Sequence, residues 1–277
     1  MRMFLVALAA TAMAIGGLAT HADPETDRIA FQKYYTTKFP SVPRDDFQNG
    51  IYSIDKVSRE EWMEIEEFPP YELAIDAGRD QFETPFANGK SYSDCFENDG
   101  AVRGQYPYWD AERKEVITLE LAINECREAN GEKPLKYQKG KIAELSAYMS
   151  FMSRGQKVNV VIPTDDPDAL AAYARGKEFY YRKRGQLNFA CIDCHGSGSG
   201  NRVRSEMLSP AYGHPTGWPV YRSKWGAIGT IHRRFGGCNR QVRAASFKPQ
   251  GREYRELEFF LTYMSNGLEF NGPSARR

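Results

Sequence analysis

Apolar positions fall into two kinds of pattern along this chain. An unbroken run from Phe4 to Leu18 follows Arg2 and stops just before Thr20-His21-Ala22. Much further on, Leu170, Tyr173, Ala174, Phe179 and Tyr180 recur at helical spacing behind Asp166-Pro167-Asp168, which supplies an N-cap and a proline for the first helical position. Tyr254 to Met264 is a second amphipathic stretch, and Ser58 with Glu61 reads as the capping box of an earlier helix. No alternating strand pattern competes with these, so the predicted fold class is all-α. The stretch 155–165, "GQKVNVVIPTD", reads as a linker, and Asp23 to about Phe68 as an extension wrapping the first half of the chain.

The first run is too short to span a bilayer. With its basic start and small-x-small ending it has the form of a secretory signal peptide, residues 1–22. No later stretch approaches the ~20 apolar residues of a transmembrane helix. The expectation is an exported, periplasmic protein with no membrane span and no nucleic-acid partner.

Sliding the sequence against itself exposes a repeat. "CREANGEKPLKYQKGKIAELSAYMSFMSRG" from Cys126 aligns without a gap to "CNRQVRAASFKPQGREYRELEFFLTYMSNG" from Cys238, an offset of 112 residues that also pairs Pro107 with Pro219. Upstream, "GKSYSDC" (89–95) lies over "GQLNFAC" (185–191) at an offset of 96, so the second copy holds 16 extra residues between its cysteines. Two copies imply a pair of homologous domains, placed at 23–155 and 156–277. The formal net charge of +1 conceals an asymmetry between them: residues 23–150 hold 16 Lys/Arg and 26 Asp/Glu, residues 151–277 hold 20 and 10. The second half should attract anions or an acidic partner, unless the halves simply attract each other.

The chemistry is concentrated in "CIDCH". Cys-x-x-Cys-His is the attachment signature of c-type haem: the thiols of Cys191 and Cys194 add to the haem vinyl groups and His195 ligates the iron. A zinc site would need two further ligands, and a redox CxxC would sit beside a βαβ pattern that is lacking. A helix, then CxxCH, then loops, then a closing helix is the order of a cytochrome c domain. In the first copy the matching residues are Cys95-Phe96-Glu97-Asn98-Asp99, with one cysteine kept and the histidine gone, so this domain is predicted haemless. Cys95 and Cys126 face one another across the same cavity by the repeat, and in an oxidising compartment they are placed to form a disulfide, the alternative being two buried thiols.

Cys238 then has no thiol partner and answers to the distal side of the surviving haem. His214, His232, Met207 and Met264 compete with it as sixth ligand, although Met264 aligns with Met152 of the haemless copy, where packing explains it. Arg233, Arg234, Arg240 and Arg243 surround Cys238 in sequence. They would hold its thiol ionised and attract a small dianion, or else form a solvated basic face for an acidic partner.

These residues carry a resemblance. The duplicated cytochrome c domains, "CIDCHG" and above all "RRFGGCN", with an arginine four residues before the cysteine, resemble the SoxA family, the A subunits of the SoxAX cytochromes of thiosulfate oxidation, over the whole mature sequence. The departure at 95–99 matches the single-haem members, in which a disulfide occupies the vacated region. The resemblance implies an L-cysteine S-thiosulfotransferase that joins thiosulfate oxidatively to a cysteine of the SoxYZ carrier, passing electrons through one haem c, with SoxX as cytochrome partner. It further implies that Cys238 is the distal haem ligand and the catalytic sulfur, found as a persulfide, and that Arg234 binds substrate. The competing readings are an electron-transfer module in which Cys238 is only a haem ligand, and a thiosulfate dehydrogenase that needs no carrier.

Overall fold

A computed structural model describes residues 23–276, so the proposed signal peptide lies outside the described residues. The described chain runs through α1 (Pro24–Lys38), α2 (Lys56–Glu67), α3 (Glu72–Glu83), β1 (Tyr108–Asp110), β2 (Glu115–Ile117), α4 (Leu119–Ala129) and α5 (Lys141–Met152). It continues with α6 (Pro167–Tyr181), β3 (Arg202–Val203), β4 (Glu206–Met207), β5 (Val220–Arg222), β6 (Ala227–Gly229), α7 (Ile231–Gln241), α8 (Arg252–Met264) and β7 (Ser274–Arg276). The structure is mostly helical, but the all-α expectation needs correcting. β1 pairs with β2 and β3 with β4, both antiparallel, and β5 lies between antiparallel β6 and parallel β7. Strands of two or three residues are too short to leave a period-two signal.

Two cores form. One gathers Tyr71, Ile75, Phe82, Leu119, Ile123, Ile142 and Tyr148 from α3, α4 and α5. The other gathers Tyr173, Tyr180, Tyr254, Phe260 and Met264 from α6 and α8. Each depends on one close helix crossing that a glycine permits. A Cβ on Gly78 of α3 would stand 2.2 Å from the Glu144 carbonyl oxygen of α5, and one on Gly176 of α6 would stand 2.1 Å from that of Glu256 on α8. The bounds of β1, β2 and α4 reappear 112 residues later as those of β5, β6 and α7, and the ends of α5 and α8 are separated by the same number.

Asp166 caps α6 as expected, its side chain accepting from the N–H groups of Asp168 and Ala169. The Ser58 capping box is not formed. Asp55 stands at the N-cap of α2, and Ser58, inside the first turn, donates to its carboxylate at 2.8 Å. The extension also divides. Trp62 and Ile65 of α2 pack on the first core, but Phe31 and Tyr35 of α1 enter the second, where Phe31 meets the rings of Tyr180 and Phe260. Nor is 155–165 a free linker. Val158, Val160 and Ile162 are buried, and Val158 N–H donates to Leu268 O while Gly267 N–H donates back to Val158 O. Valine and isoleucine at alternate positions made this a strand-like strap, whose apolar edge leaves water against residues 267–270.

Candidate haem and thiol site

The CxxCH segment begins where Asp193 folds back, its carboxylate accepting from the Ala190 N–H at 2.8 Å. Asp193–Ser197 then form one wide helical turn. α1 pins the end of that turn: Tyr35 OH donates to the His195 carbonyl at 2.7 Å, and Lys38 Nζ donates to the carbonyls of Gly196 and Ser197 at 2.9 and 2.7 Å. The His195 ring is oriented separately. Its Nδ1 donates to the Ser209 carbonyl at 3.0 Å, which leaves Nε2 as the nitrogen with a free lone pair. Burial, aided by the charge of Arg234, pushes its pKa down to about 4. A neutral imidazole with Nδ1 already engaged is the form that ligates a metal. Ser209 lies between Cys191 and Pro219, where the second half is longer than the first, and supplies the acceptor for His195 Nδ1.

The three free cysteines, Cys191, Cys194 and Cys238, are half-buried. Burial pushes the Cys191 thiol up to about 12, with the negative charge of a Cys238 thiolate as the next contribution. Cys194 is raised by the same two causes, while Arg234 acts in the opposite sense. One α7 residue, Cys238, therefore lies within electrostatic reach of both CxxCH thiols, and Arg234, one turn earlier, within reach of Cys194 and His195. Two thiols three positions apart, an adjacent neutral imidazole and a third thiol brought to them by another helix form a donor set that fits covalent haem.

The four arginines do not stay together as a nest. Arg233 stacks over Trp225 at 4.1 Å. Arg240 is turned to Ser246 and Arg243 to Gln186, both exposed at the surface. Only Arg234 of the four shares the field of the CxxCH residues. Two further guanidinium groups there were missed by sequence reasoning: Arg184, whose charge favours ionisation of Cys191, and Arg222 of β5, which is buried and has Arg234 and Cys238 among its electrostatic neighbours. In the repeat the counterpart of Arg222 is Asp110, so nothing in the sequence marked it.

The competing ligands lie elsewhere. His214 stands edge-on to His195 at 4.4 Å and is bonded through Nε2 to Ser209 Oγ at 2.9 Å. His232 is buried, with its two nitrogens facing Gln250 N–H and Glu258. Met264 is part of the second core and Met207 sits on the β3–β4 hairpin. In the first half, Cys95 and Cys126 are joined as a disulfide.

Residues 77–158 match the family described as "SoxA/TsdA, cytochrome c domain", and that match falls on the half without CxxCH. Among curated relatives, the L-cysteine S-thiosulfotransferase subunit SoxA of Allochromatium vinosum is 61% identical over 94% of this chain and 93% of its own length. The SoxA subunit of Chlorobaculum tepidum is 55% identical over 91% of this chain and 88% of its own. A crystal structure of SoxXA from P. pantotrophus superposes with a TM-score of 0.71 at 30% identity, covering 79% of this chain and 84% of that one.

Proposed function

Because the chain belongs to the SoxA family, the subunits of L-cysteine S-thiosulfotransferase in thiosulfate oxidation, we propose that Cys238 is the sulfur that meets thiosulfate and Arg234 the cation that receives its sulfonate. The observation that carries this reading is the convergence of α7 on the CxxCH turn, which brings Cys238 and Arg234 together to Cys194. Cys191 and Cys194 would hold haem c covalently, and His195 and Cys238 would ligate its iron. When bound, the haem supplies electron acceptance. One haem per chain is proposed, since 95–99 has neither a second cysteine nor a histidine and Cys95 is already bonded.

The net conversion joins the sulfane sulfur of thiosulfate to a carrier thiol: one S–S bond forms, and one proton and two electrons leave. Cys238, with or without an extra persulfide sulfur, bonds to the sulfane sulfur first, and the two electrons leave in this step, one to the haem and the second to SoxX or another acceptor. The carrier thiolate then attacks that sulfur and Cys238 leaves as thiolate, or as persulfide anion where it carries the extra sulfur, so the second step is a redox-neutral exchange. Arg234 lowers the repulsion between the thiosulfate dianion and the thiolate by charge-assisted hydrogen bonds. SoxX as cytochrome partner, SoxYZ as carrier and the periplasm as compartment complete the proposal.

The two halves are proposed to descend from one cytochrome c domain, with the boundary near 155. The constant 112-residue offset of four successive element types and the matching glycine crossings support this. So does a cytochrome c family match that falls on the half without CxxCH. Cys238→Ala tests the chemistry. Carrier-dependent transfer should be abolished while outer-sphere reduction by a small donor persists; normal carrier-dependent turnover would make the electron-transfer reading correct instead.

A further inference from the structure

Buried charge is dense at one place between the two cores. Arg103, Glu120, His232 and Glu258 are all buried, and they come from the segment before β1, from α4, from α7 and from α8. Glu258 Oε1 lies 3.4 Å from Arg103 Nη2, and its Oε2 lies 3.1 Å from His232 Nε2. The Gln250 N–H donates to His232 Nδ1 at 3.0 Å, which leaves Nε2 as the nitrogen near Glu258, a close charged contact that is not aligned as a hydrogen bond. On the other side Ser146 Oγ donates to Glu120 Oε1 at 2.8 Å, while Glu120 Oε2 has no hydrogen-bond partner.

One guanidinium does not neutralise two buried carboxylates. Burial and the charge of Glu258 hold Glu120 above the ordinary carboxyl range. Burial also opposes ionisation of Glu258, but His232 and then Arg103 outweigh it and hold Glu258 below that range. The two carboxyls of the cluster are therefore pushed in opposite directions, Glu258 toward ionisation and Glu120 toward its protonated form. At the 112-residue offset Glu120 corresponds to His232 and Ser146 to Glu258, so equivalent positions of the two halves meet with different chemistry.

α7 needs an anchor of this kind. Its sequence IHRRFGGCNRQ contains adjacent glycines, which weaken a helix through backbone entropy, and its buried residues are Ile231, His232, Gly236 and Asn239. α4, its counterpart, buries Leu119, Glu120, Ile123, Asn124 and Cys126, and Phe235, at the position matching Ile123, is only partly buried. Beside the apolar contacts of Ile231 and Phe235, α7 is seated by polar ones: His232 against Glu258, Asn239 Nδ2 donating to Tyr254 OH at 2.8 Å, and Ser246 Oγ donating to the Gly236 carbonyl at 3.0 Å.

We propose that Glu258 is a positioning residue for the site: its buried charge, held between Arg103 and His232, fixes the helix that presents Arg234 and Cys238. The proposal rests on the roles given above to those two residues. It also assigns work to the half without CxxCH, which contributes Arg103.

The test uses the purified holoprotein. Glu258→Gln keeps the shape and removes the charge; the KM for thiosulfate should rise about tenfold with kcat changed by less than about threefold. Backbone amides of 233–240 should exchange with deuterium about tenfold faster while those of α5 keep their rate. Glu120→Gln changes the acid whose environment favours its neutral form and should stay within about twofold of wild type on both readouts. Equal effects of the two variants, or unchanged exchange of α7 in Glu258→Gln, overturn the proposal. If Glu258→Gln yields no folded holoprotein, Arg103→Lys and Arg103→Met replace it: Lys should stay near wild type and Met should show the loosened α7, and identical behaviour of the two overturns the proposal. Arg234→Ala separates the premise from the inference, since an unchanged KM there refutes the role of Arg234 while α7 exchange still decides that of Glu258.

Discussion

Replacing Gly176 by alanine asks whether the α6–α8 crossing is set by the missing side chain. The new Cβ would stand 2.1 Å from the Glu256 carbonyl oxygen and 3.0 Å from Phe260 Cβ, whereas ordinary contact begins at 3.4 Å, so the helices must part by about 1.3 Å at that point. The obstacle is a backbone carbonyl inside a helix and cannot turn aside. Parting the helices loosens Phe260 from Tyr173 and Tyr180, whose rings lie 5.7 and 5.6 Å away. Overpacking of this kind costs roughly 1–3 kcal/mol, here near the upper end. Alanine returns about 1 kcal/mol in helix propensity. The net loss of ~2 kcal/mol corresponds to a fall in melting temperature of about 4–8 °C for a chain of this size. Differential scanning calorimetry of the holoprotein measures it, with Gly78→Ala as the matched variant in the other core, where the corresponding distance is 2.2 Å. An unchanged or raised melting temperature in Gly176→Ala would mean that propensity outweighs the clash, and the close crossing would not be what this glycine is for.

Arg234→Ala should lower kcat/KM for thiosulfate about 10- to 100-fold, the equivalent of one charge-assisted bond of ~1.5–3 kcal/mol, without changing haem content; steady-state kinetics and a pyridine haemochrome assay decide. Cys95→Ser opens a link across a sequence separation of 31 and should destabilise the first half by ~2–4 kcal/mol in urea unfolding, leaving the haem spectrum unchanged. Glu120 has a folded-state pKa raised above its unfolded value, so its contribution is complete at low pH and is lost as pH rises above about 4.3. Glu120→Gln should therefore match wild type in melting temperature near pH 4 and exceed it increasingly toward pH 7; a difference that shrinks with rising pH would contradict a protonated Glu120.

Much of this molecule could be read from local pattern. The Asp166-Pro167 start of α6, the amphipathic Tyr254–Met264 stretch and the CxxCH turn depend on neighbours within a few residues, and such signals survive in one dimension. So did the pairing of Cys95 with Cys126, because the 112- and 96-residue offsets bring the two positions to one cavity. The alternating valines of 155–165 were equally present in the sequence, but alternation over so short a span does not say which surface will cover it. What only the tertiary structure decided were contacts between distant segments. α1 joins the second core, where Phe31 packs its ring against Tyr35, Tyr180 and Phe260 and both α1 rings leave water. Four arginines adjacent in sequence were sorted by helix geometry: successive positions point about 100° apart, so Arg233 reaches Trp225 while Arg234 turns to the thiols. Charge is the extreme case. Whether Glu120 and Glu258 share a proton depends on burial and on Arg103 and His232 standing within a few ångströms, and sequence separation carries no trace of either.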